Sequence, residues 1–358
     1  MKLTNLFFSL FLYLSTALAE GSVTGLAGDF LKNLEPLQNP LFISTPNDDH
    51  SELLSAFDKA QVSIKVGIFG ISGKHIADSL EAAQKRGVSV TIICDKYCVS
   101  NDKRAALVAQ LKAAGVTIYT ATEGFTISHW KMFVIDDSKV FISTMNFISR
   151  FIQMRDMGIF VTNPSIVKEV IAVFNADIEN SKNQTALTPV LSQPNLVWSP
   201  SNSEEKLVQL ILSAENSIEI WIENMGNRAI HEALKTAVEK GVHVRLMTSL
   251  CSLGMDPTFA FSHLNQLVGF GVMVQVMPFP ASPEIPYVHA KVIVVDKKIT
   301  FLGSENFSMN SLLNARELGI VFKDSEIQKR INSLFESDWL QTVHLPANPP
   351  EKCEALQP

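Results

Sequence analysis

Apolar residues recur along this chain in two rhythms. Where they fall three and four apart, as at Leu53, Leu54, Phe57 and Ala60, an amphipathic helix is predicted. Short unbroken apolar runs such as 88–94 and 292–295 predict strands. The alternation then repeats. Residues 45–66 align with 199–220, each a turn, a helix and a β-rich run, and residues 75–95 align with 229–249. Both copies continue through a further helix and a short strand, at 116–120 and 272–277, to a His-led strand, a second strand, a third and a closing helix. The predicted order is therefore β-α-β-α-β-α-β-β-β-α, twice.

Strands alternating with helices predict a mixed sheet covered by helices on both faces. The fold class is α/β, with two repeated mixed-sheet α-β-α sandwich domains packed face to face. Residues 180–195 hold turn formers without periodicity and read as a linker. The expected division is a leader at 1–19, a first repeat at 20–180, a linker at 181–195, a second repeat at 196–343 and a tail at 344–358.

The first residues carry one early charge at Lys2, an apolar run from Leu6 to Leu14, and Ala17 and Ala19 before Glu20. This predicts a secretory signal cleaved after Ala19. No other run approaches the ~20 apolar residues of a membrane span. The mature chain is thus expected to be soluble and secreted or periplasmic. In such a compartment Cys94, Cys98, Cys251 and Cys353 could form up to two disulfides, in three pairings. Cys94 and Cys98 have no second Cys/His pair at ligand spacing, so neither a metal nor a cofactor is expected. The formal net charge of −6, with no Lys/Arg-rich run, argues against tight non-specific binding to long nucleic acid.

The chemistry lies at matching points of the repeat. The first copy has His129, Lys131 and Asp136, followed by Asn146; the second has His289, Lys291 and Asp296, followed by Gly303, Ser304 and Asn306. Residues two apart on a strand share a face, so each His and its Lys can reach one ligand together. A phosphodiester needs an activated nucleophile, a proton donor for the leaving alkoxide and fixed positive charge around the phosphoryl oxygens. Two His and two Lys supply all three.

Paired His-x-Lys-x4-Asp motifs, each followed by Gly-Ser-x-Asn or its relative, resemble the phospholipase D superfamily, and the resemblance covers nearly the whole mature chain. It implies one active site between the repeats on a pseudo-twofold axis, a monomer with an internal pseudo-dimer. His129 would form a phosphohistidine and His289 would protonate the leaving group. Lys131, Lys291, Asn146 and Asn306 would hold the phosphate, supported by Ser304 and Thr144. Asp136 and Asp296, though part of the motif, are expected to be structural or outlying supports. Family members place a carboxylate on the next strand to orient each His, and Asp156 and Glu317 stand at equivalent positions for this role. Ser143 and Thr144 depart from the family's Gly-Ser, and Trp130 is bulkier than Ala290. A Ser143 forced to positive φ, or crowding the phosphate, would impair the first copy. Both His and both Lys are present, so an active enzyme is expected.

These motifs set the reaction type and leave the substrate to the rim. The apolar stretch 277–287, Phe125, Phe147, Ile148, Phe151, Ile152, Phe259 and Phe261 would either meet acyl chains or pack the domain interface. With the weak acidity and the leader, they favour a phospholipid and transient membrane-surface contact. The alternatives are a secreted metal-independent nuclease, stacking bases on those aromatics, and a non-catalytic phosphate- or lipid-binding module. Water and an alcohol acceptor would be served alike by the motif residues, so hydrolysis and transphosphatidylation are both compatible with them. His50, His75, His231, His243, His263 and His344 read as structural or solvent-facing, without matched partners.

Overall fold

The computed structural model describes residues 29–147, 153–250, 257–278 and 280–349. The leader, Ile148, Phe151, Ile152, Cys251 and Cys353 lie outside the described residues. A short α1 (Asp29–Lys32) leads into the first repeat: β1 (Leu41–Thr45), α2 (Ser51–Lys59), β2 (Ser63–Ile68), α3 (Lys74–Lys85), β3 (Ser89–Cys94) and α4 (Asp102–Ala113). It continues with β4 (Thr117–Thr120), β5 (Lys131–Ile135), β6 (Lys139–Ser143), β7 (Met154–Val161) and α5 (Pro164–Asn183). The second repeat runs β8 (Leu196–Ser199), α6 (Ser203–Leu212), β9 (Ser217–Ile222), α7 (Arg228–Glu239), β10 (His243–Thr248) and α8 (Pro257–Gly269). After β11 (Met273–Val276) and β12 (Tyr287–Val288) come β13 (Lys291–Val295), β14 (Ile299–Gly303) and α9 (Met309–Leu313). It closes with β15 (Glu317–Phe322), α10 (Ser325–Trp339) and β16 (Val343–His344). Both copies follow the predicted order with one strand more, four and not three lying between the third helix of the repeat and its closing helix, and β12, α9 and β16 are added in the second.

Each repeat builds a mixed sheet. The first is ordered β1-β7-β6-β5-β2-β3-β4, and the second β16-β11-β10-β9-β13-β14-β15-β8. In both, the strands joined through helices run parallel, and the His-led strand runs antiparallel to them and to its hairpin partner. β12 leaves its own sheet and pairs in parallel with β7 of the first.

The strand pattern explains the layers. On β5, Phe133 joins a cluster with α2, α3 and α4, whereas Met132 and Val134 face a second cluster. On β13, Val292 and Val294 face that same second cluster. It contains α5 and α10, so one apolar core, filled by Phe174 and Phe335 among others, is shared by both repeats. Burial of this shared face binds the repeats to each other.

Two matched ion pairs reinforce the junction. Arg155 of the first repeat makes a two-pronged contact to Asp338 of α10, 2.7 Å through both Nε and Nη2. Arg316 of the second repeat reaches Asp177 of α5 at 2.9 Å. All four side chains are buried.

Three expected boundaries move. α5 extends to Asn183, through the first residues of the expected linker, because Asn180 is bonded within the fold to Leu187 and Thr185 rather than marking a break. α1 packs on the second repeat, with Leu31 in that repeat's outer core, although it precedes β1 in the chain. His344 belongs to β16, paired with Gln275, and not to a free tail.

Candidate active site

The two His-led segments start at the junction, where each is fastened to the opposite repeat. The N–H groups of His129 and Trp130 donate to the Arg316 carbonyl at 2.8 and 3.1 Å, and His289 N–H donates to the Arg155 carbonyl at 3.1 Å. The side chains cross in the same way. His129 Nδ1 lies 2.9 Å from Glu317 of the second repeat, and His289 Nδ1 lies 2.7 Å from Asp156 of the first. The carboxylates predicted to orient each His are therefore exchanged: neither serves the imidazole of its own repeat. Ser311 Oγ donates to Glu317, and Thr144 Oγ1 donates to Asp156.

Burial pushes both carboxyls toward protonation, but the neighbouring imidazoles, the lysines and these hydroxyls outweigh it and hold Asp156 and Glu317 below the usual carboxylate range. Ionised carboxylates accept, so each Nδ1 carries the proton and each Nε2 is left for a substrate. The His129 pKa is lowered by burial and by Lys131, against the pull of Glu317. A neutral imidazole with an available Nε2 lone pair is a nucleophile.

The two lysines differ. Lys131 Nζ donates to the His129 carbonyl at 2.7 Å, and burial drives its pKa down to about 7. Lys291 donates to the His289 carbonyl and, at 2.7 Å, to the carboxylate of Glu223. Glu223 also accepts from Tyr287 at 3.0 Å and from Asn306 at 3.3 Å. Although buried, Glu223 is held well below the usual range, chiefly by Lys291 and His289. Asn146 Nδ2 lies 3.3 Å from His289 Nε2, so an amide of the first repeat reaches the imidazole of the second.

The structure thus brings together His129, Lys131, His289, Lys291, Asp156, Glu317, Asn146 and Asn306. Thr144 and Ser304 stand behind them: their hydroxyls accept from Met157 N–H at 2.9 Å and Leu318 N–H at 3.1 Å. They brace the neighbouring strands instead of facing a phosphate.

Asp136 and Asp296 are not in the site. They sit past the far ends of β5 and β13, at φ of 49° and 51°. Asp136 accepts from the N–H groups of Gln61, Val62 and Ser63, and Asp296 from those of Glu215, Asn216 and Ser217. Each ties the turn after its own strand to the start of β2 or β9.

Ser143 is accommodated without strain, since neither it nor Gly303 has positive φ. The glycine in the second copy answers to a different neighbour. A Cβ on Gly303 would stand 2.2 Å from Glu305 Oε2, 2.6 Å from the Gly319 Cα and 2.9 Å from the Phe301 ring; the first copy has Met145 in place of Glu305. Ser143 Oγ donates to the Lys131 carbonyl at 3.1 Å. Glu305 is fully buried with no hydrogen bond to either carboxyl oxygen, and burial together with Glu317 raises its pKa well above the ordinary value. It is a neutral acid.

Trp130 is matched in a similar way. Gly67 of β2 makes room for its indole, since a Cβ there would fall 2.6 Å from the ring; at the equivalent place on β9 stands Trp221, beside the small Ala290. One large and one small residue fill each position, in opposite order.

The rim reading needs correction. Phe125, Phe147, Phe261, Met277 and Tyr287 are buried, Phe125 under the Arg316 guanidinium at 4.2 Å, because they pack the junction and the outer cores. Phe259 is exposed, as are Tyr97 and Val99 after β3. Tyr97 stacks on Phe69, whose ring meets His129 edge-on at 5.0 Å. Two histidine pairs also have partners after all: His50 Nδ1 lies 3.0 Å from His75 Nε2, and His231 bonds Gln266 at 3.0 Å while packing on His263. Cys94 and Cys98 are buried free thiols, Cys98 Sγ donating to the Phe69 carbonyl at 3.9 Å. Among the described residues no group of three or more His, Cys, Asp or Glu is placed to hold a metal ion.

The residues that sequence reasoning missed are Glu223, Tyr287, Ser311 and Glu305. Only Glu223 left a signal, as the charged residue that aligns with Phe69 when the two repeats are laid together.

This double fold with its shared His-Lys site defines a phospholipase D-type phosphodiesterase. A family model described as "Cardiolipin synthase, PLD-like domain" matches residues 53–178 and 207–339, and the chain belongs to that family. It is 23% identical over 351 residues to the probable cardiolipin synthase YwiE of Bacillus subtilis, covering 87% of this chain and 68% of that protein. It is 24% identical over 165 residues to the mitochondrial cardiolipin hydrolase of Mus musculus, covering 43% of this chain and 71% of that one. Cardiolipin synthase A of Pseudomonas syringae is 25% identical over 80% of this chain, which spans 65% of that relative's length. The crystal structure of phosphatidylserine synthase from Haemophilus influenzae shares the fold, with a TM-score of 0.67 at 15% identity over 89% of this chain and 92% of that one.

Proposed function

We propose that the protein breaks the head-group phosphodiester of a phospholipid in two steps through a phosphohistidine on His129. The observation that carries this reading is the crossed pair of carboxylate-backed imidazoles, each committed at Nδ1, with two buried lysines beside them.

In the first step Nε2 of His129 attacks phosphorus, the bond from phosphorus to the head-group oxygen breaks, and His289 Nε2 gives its proton to that oxygen. Lys131, Lys291, Asn146 and Asn306 hold the non-bridging oxygens, where negative charge builds. In the second step an alcohol or water loses its proton to His289 and attacks phosphorus, and His129 departs. An alcohol gives transfer and water gives hydrolysis. Relatives bearing the names of a synthase and a hydrolase support a lipid phosphodiester, as does a net charge of −6. The apolar leader at 1–19 supports delivery across a membrane, and exposed Tyr97, Val99 and Phe259 support brief contact with a lipid surface.

The test compares the protein with His129→Ala, in chelator, on mixed phospholipid vesicles and on single-stranded DNA. Head group released by the unaltered protein alone is the expected result. Cleavage of DNA alone overturns the substrate, and no turnover on either overturns the enzyme reading in favour of a phosphate-binding module.

A further inference from the structure

The two halves of the site are not alike, and the difference falls at one position. Ile68 pairs with Lys131 and Ile222 pairs with Lys291, so the next residues, Phe69 and Glu223, occupy equivalent places. Phe69 sets an apolar ring beside His129, 5.8 Å from Lys131 Nζ. Glu223 sets a carboxylate beside Lys291, with Oε2 only 3.8 Å from His289 Nε2. A carboxylate inside a phosphate site opposes the ligand that the lysines attract, so its presence calls for a second, positive ligand group.

Counting charge gives the same answer. Glu223, Asp156 and Glu317 are ionised, and Glu305 is neutral. In the step where His289 gives its proton and both lysines hold the phosphate, three positive groups balance the three carboxylates. A phosphodiester then leaves one negative charge over in a place sheltered from water, where an unbalanced charge is disfavoured. A cation on the leaving group cancels it.

We propose that Glu223 is a specificity-determining residue that binds the ammonium of an amino-alcohol head group as that group leaves from the His289 side. This rests on the phosphodiester reading given above. Two carbons between the ester oxygen and nitrogen place the ammonium roughly 3–4 Å from the oxygen that His289 protonates, by ordinary bond lengths. That matches the separation of Glu223 from His289 Nε2. Tyr287, bonded to the same carboxylate, keeps it aimed at the site.

The experiment measures kcat/KM on vesicles of identical acyl chains carrying ethanolamine, glycerol or ethanol as head group, for the unaltered protein, Glu223→Gln and Glu223→Asp. The unaltered protein is expected to favour ethanolamine over both others by about tenfold or more, the worth of one charge-assisted hydrogen bond. In Glu223→Gln that ratio falls to within about twofold, whereas Glu223→Asp retains part of it. A Glu223 that merely supports Lys291 would lower all three rates by one factor and keep the ratio, which overturns the proposal. Equal rates on all three lipids in the unaltered protein also overturn it, by a measurement that needs no variant. Turnover of none of them removes the lipid reading itself, and this proposal with it.

Discussion

Glu317 holds Nδ1 of His129 at 2.9 Å from 188 residues further along the chain, in the other repeat. Asp156 repays the arrangement at His289. Neither repeat owns a complete catalytic imidazole, so the site exists only where the two meet.

Replacing Glu317 by Gln keeps the shape of this contact but removes the charge that fixes the tautomer and stabilises the imidazolium. We expect kcat to fall by about 10⁴, with KM changed little, as for other His–carboxylate pairs. Steady-state kinetics on Glu317→Gln and Asp156→Asn would check this; losses under about fivefold would show that the carboxylates are bystanders.

The pH profile should carry the mark of Lys131, lowered to about 7 by burial. Its charged form grips the phosphate, so kcat/KM should decline as pH rises through that value. Bound phosphodiester favours the ammonium, so kcat should hold to higher pH. Stability moves the other way. Between about 7 and 10.4 the unfolded chain binds the extra proton, and stability rises with pH across that window. Lys131→Met should accordingly abolish turnover yet stabilise the fold near neutrality by about 1–3 kcal/mol, read by denaturant titration.

Glu305 and Gly303 should behave as a coupled pair. Glu305→Met, which copies the first repeat, removes a buried acid without partners and should stabilise the protein by about 1–3 kcal/mol. Gly303→Ser alone should destabilise it, since its Cβ meets the carboxyl and, at 2.6 Å, the Gly319 backbone; the Glu305→Met background should recover only the part of that cost due to the carboxyl. A double-mutant cycle with no coupling would contradict this account.

Asp296 should matter to folding and not to chemistry. Asp296→Ala strands three backbone N–H groups and should cost about 1–3 kcal/mol by thermal or urea melting. Under conditions where the protein is fully folded, kcat should stay within about twofold of its starting value. A large fall in kcat would return Asp296 to the site.

Much of this was legible in the chain. The repeat, the alternation of helices and strands and the His-Lys pairs follow from periodicity, because a strand that alternates its side chains places His129 and Lys131 together by local geometry alone. The exchanged partners were not legible. Residues 156 and 317 stand at equivalent points of two aligned segments, and nothing in the alignment says whether each carboxylate turns to its own strand or across. Whether aromatics such as Phe147 lined a rim or packed the interface was not legible either, since exposure depends on what lies opposite; Phe125 and Phe147 are buried. Trp130 against Ala290 suggested a loss of symmetry, and only the space left by Gly67 and filled by Trp221 shows it to be compensated.

The clasp of Arg155 with Asp338 and of Arg316 with Asp177 bears on when the site is first assembled. A chain is made from its N-terminus, and its first repeat can begin to fold before the second has been synthesised. Yet His129 then lacks Glu317, and Arg155 lacks the carboxylate of Asp338 that seats it beneath the junction. The two halves of the site therefore come together late and all at once, when nearly the whole chain has been released, and a growing chain carries only one of them.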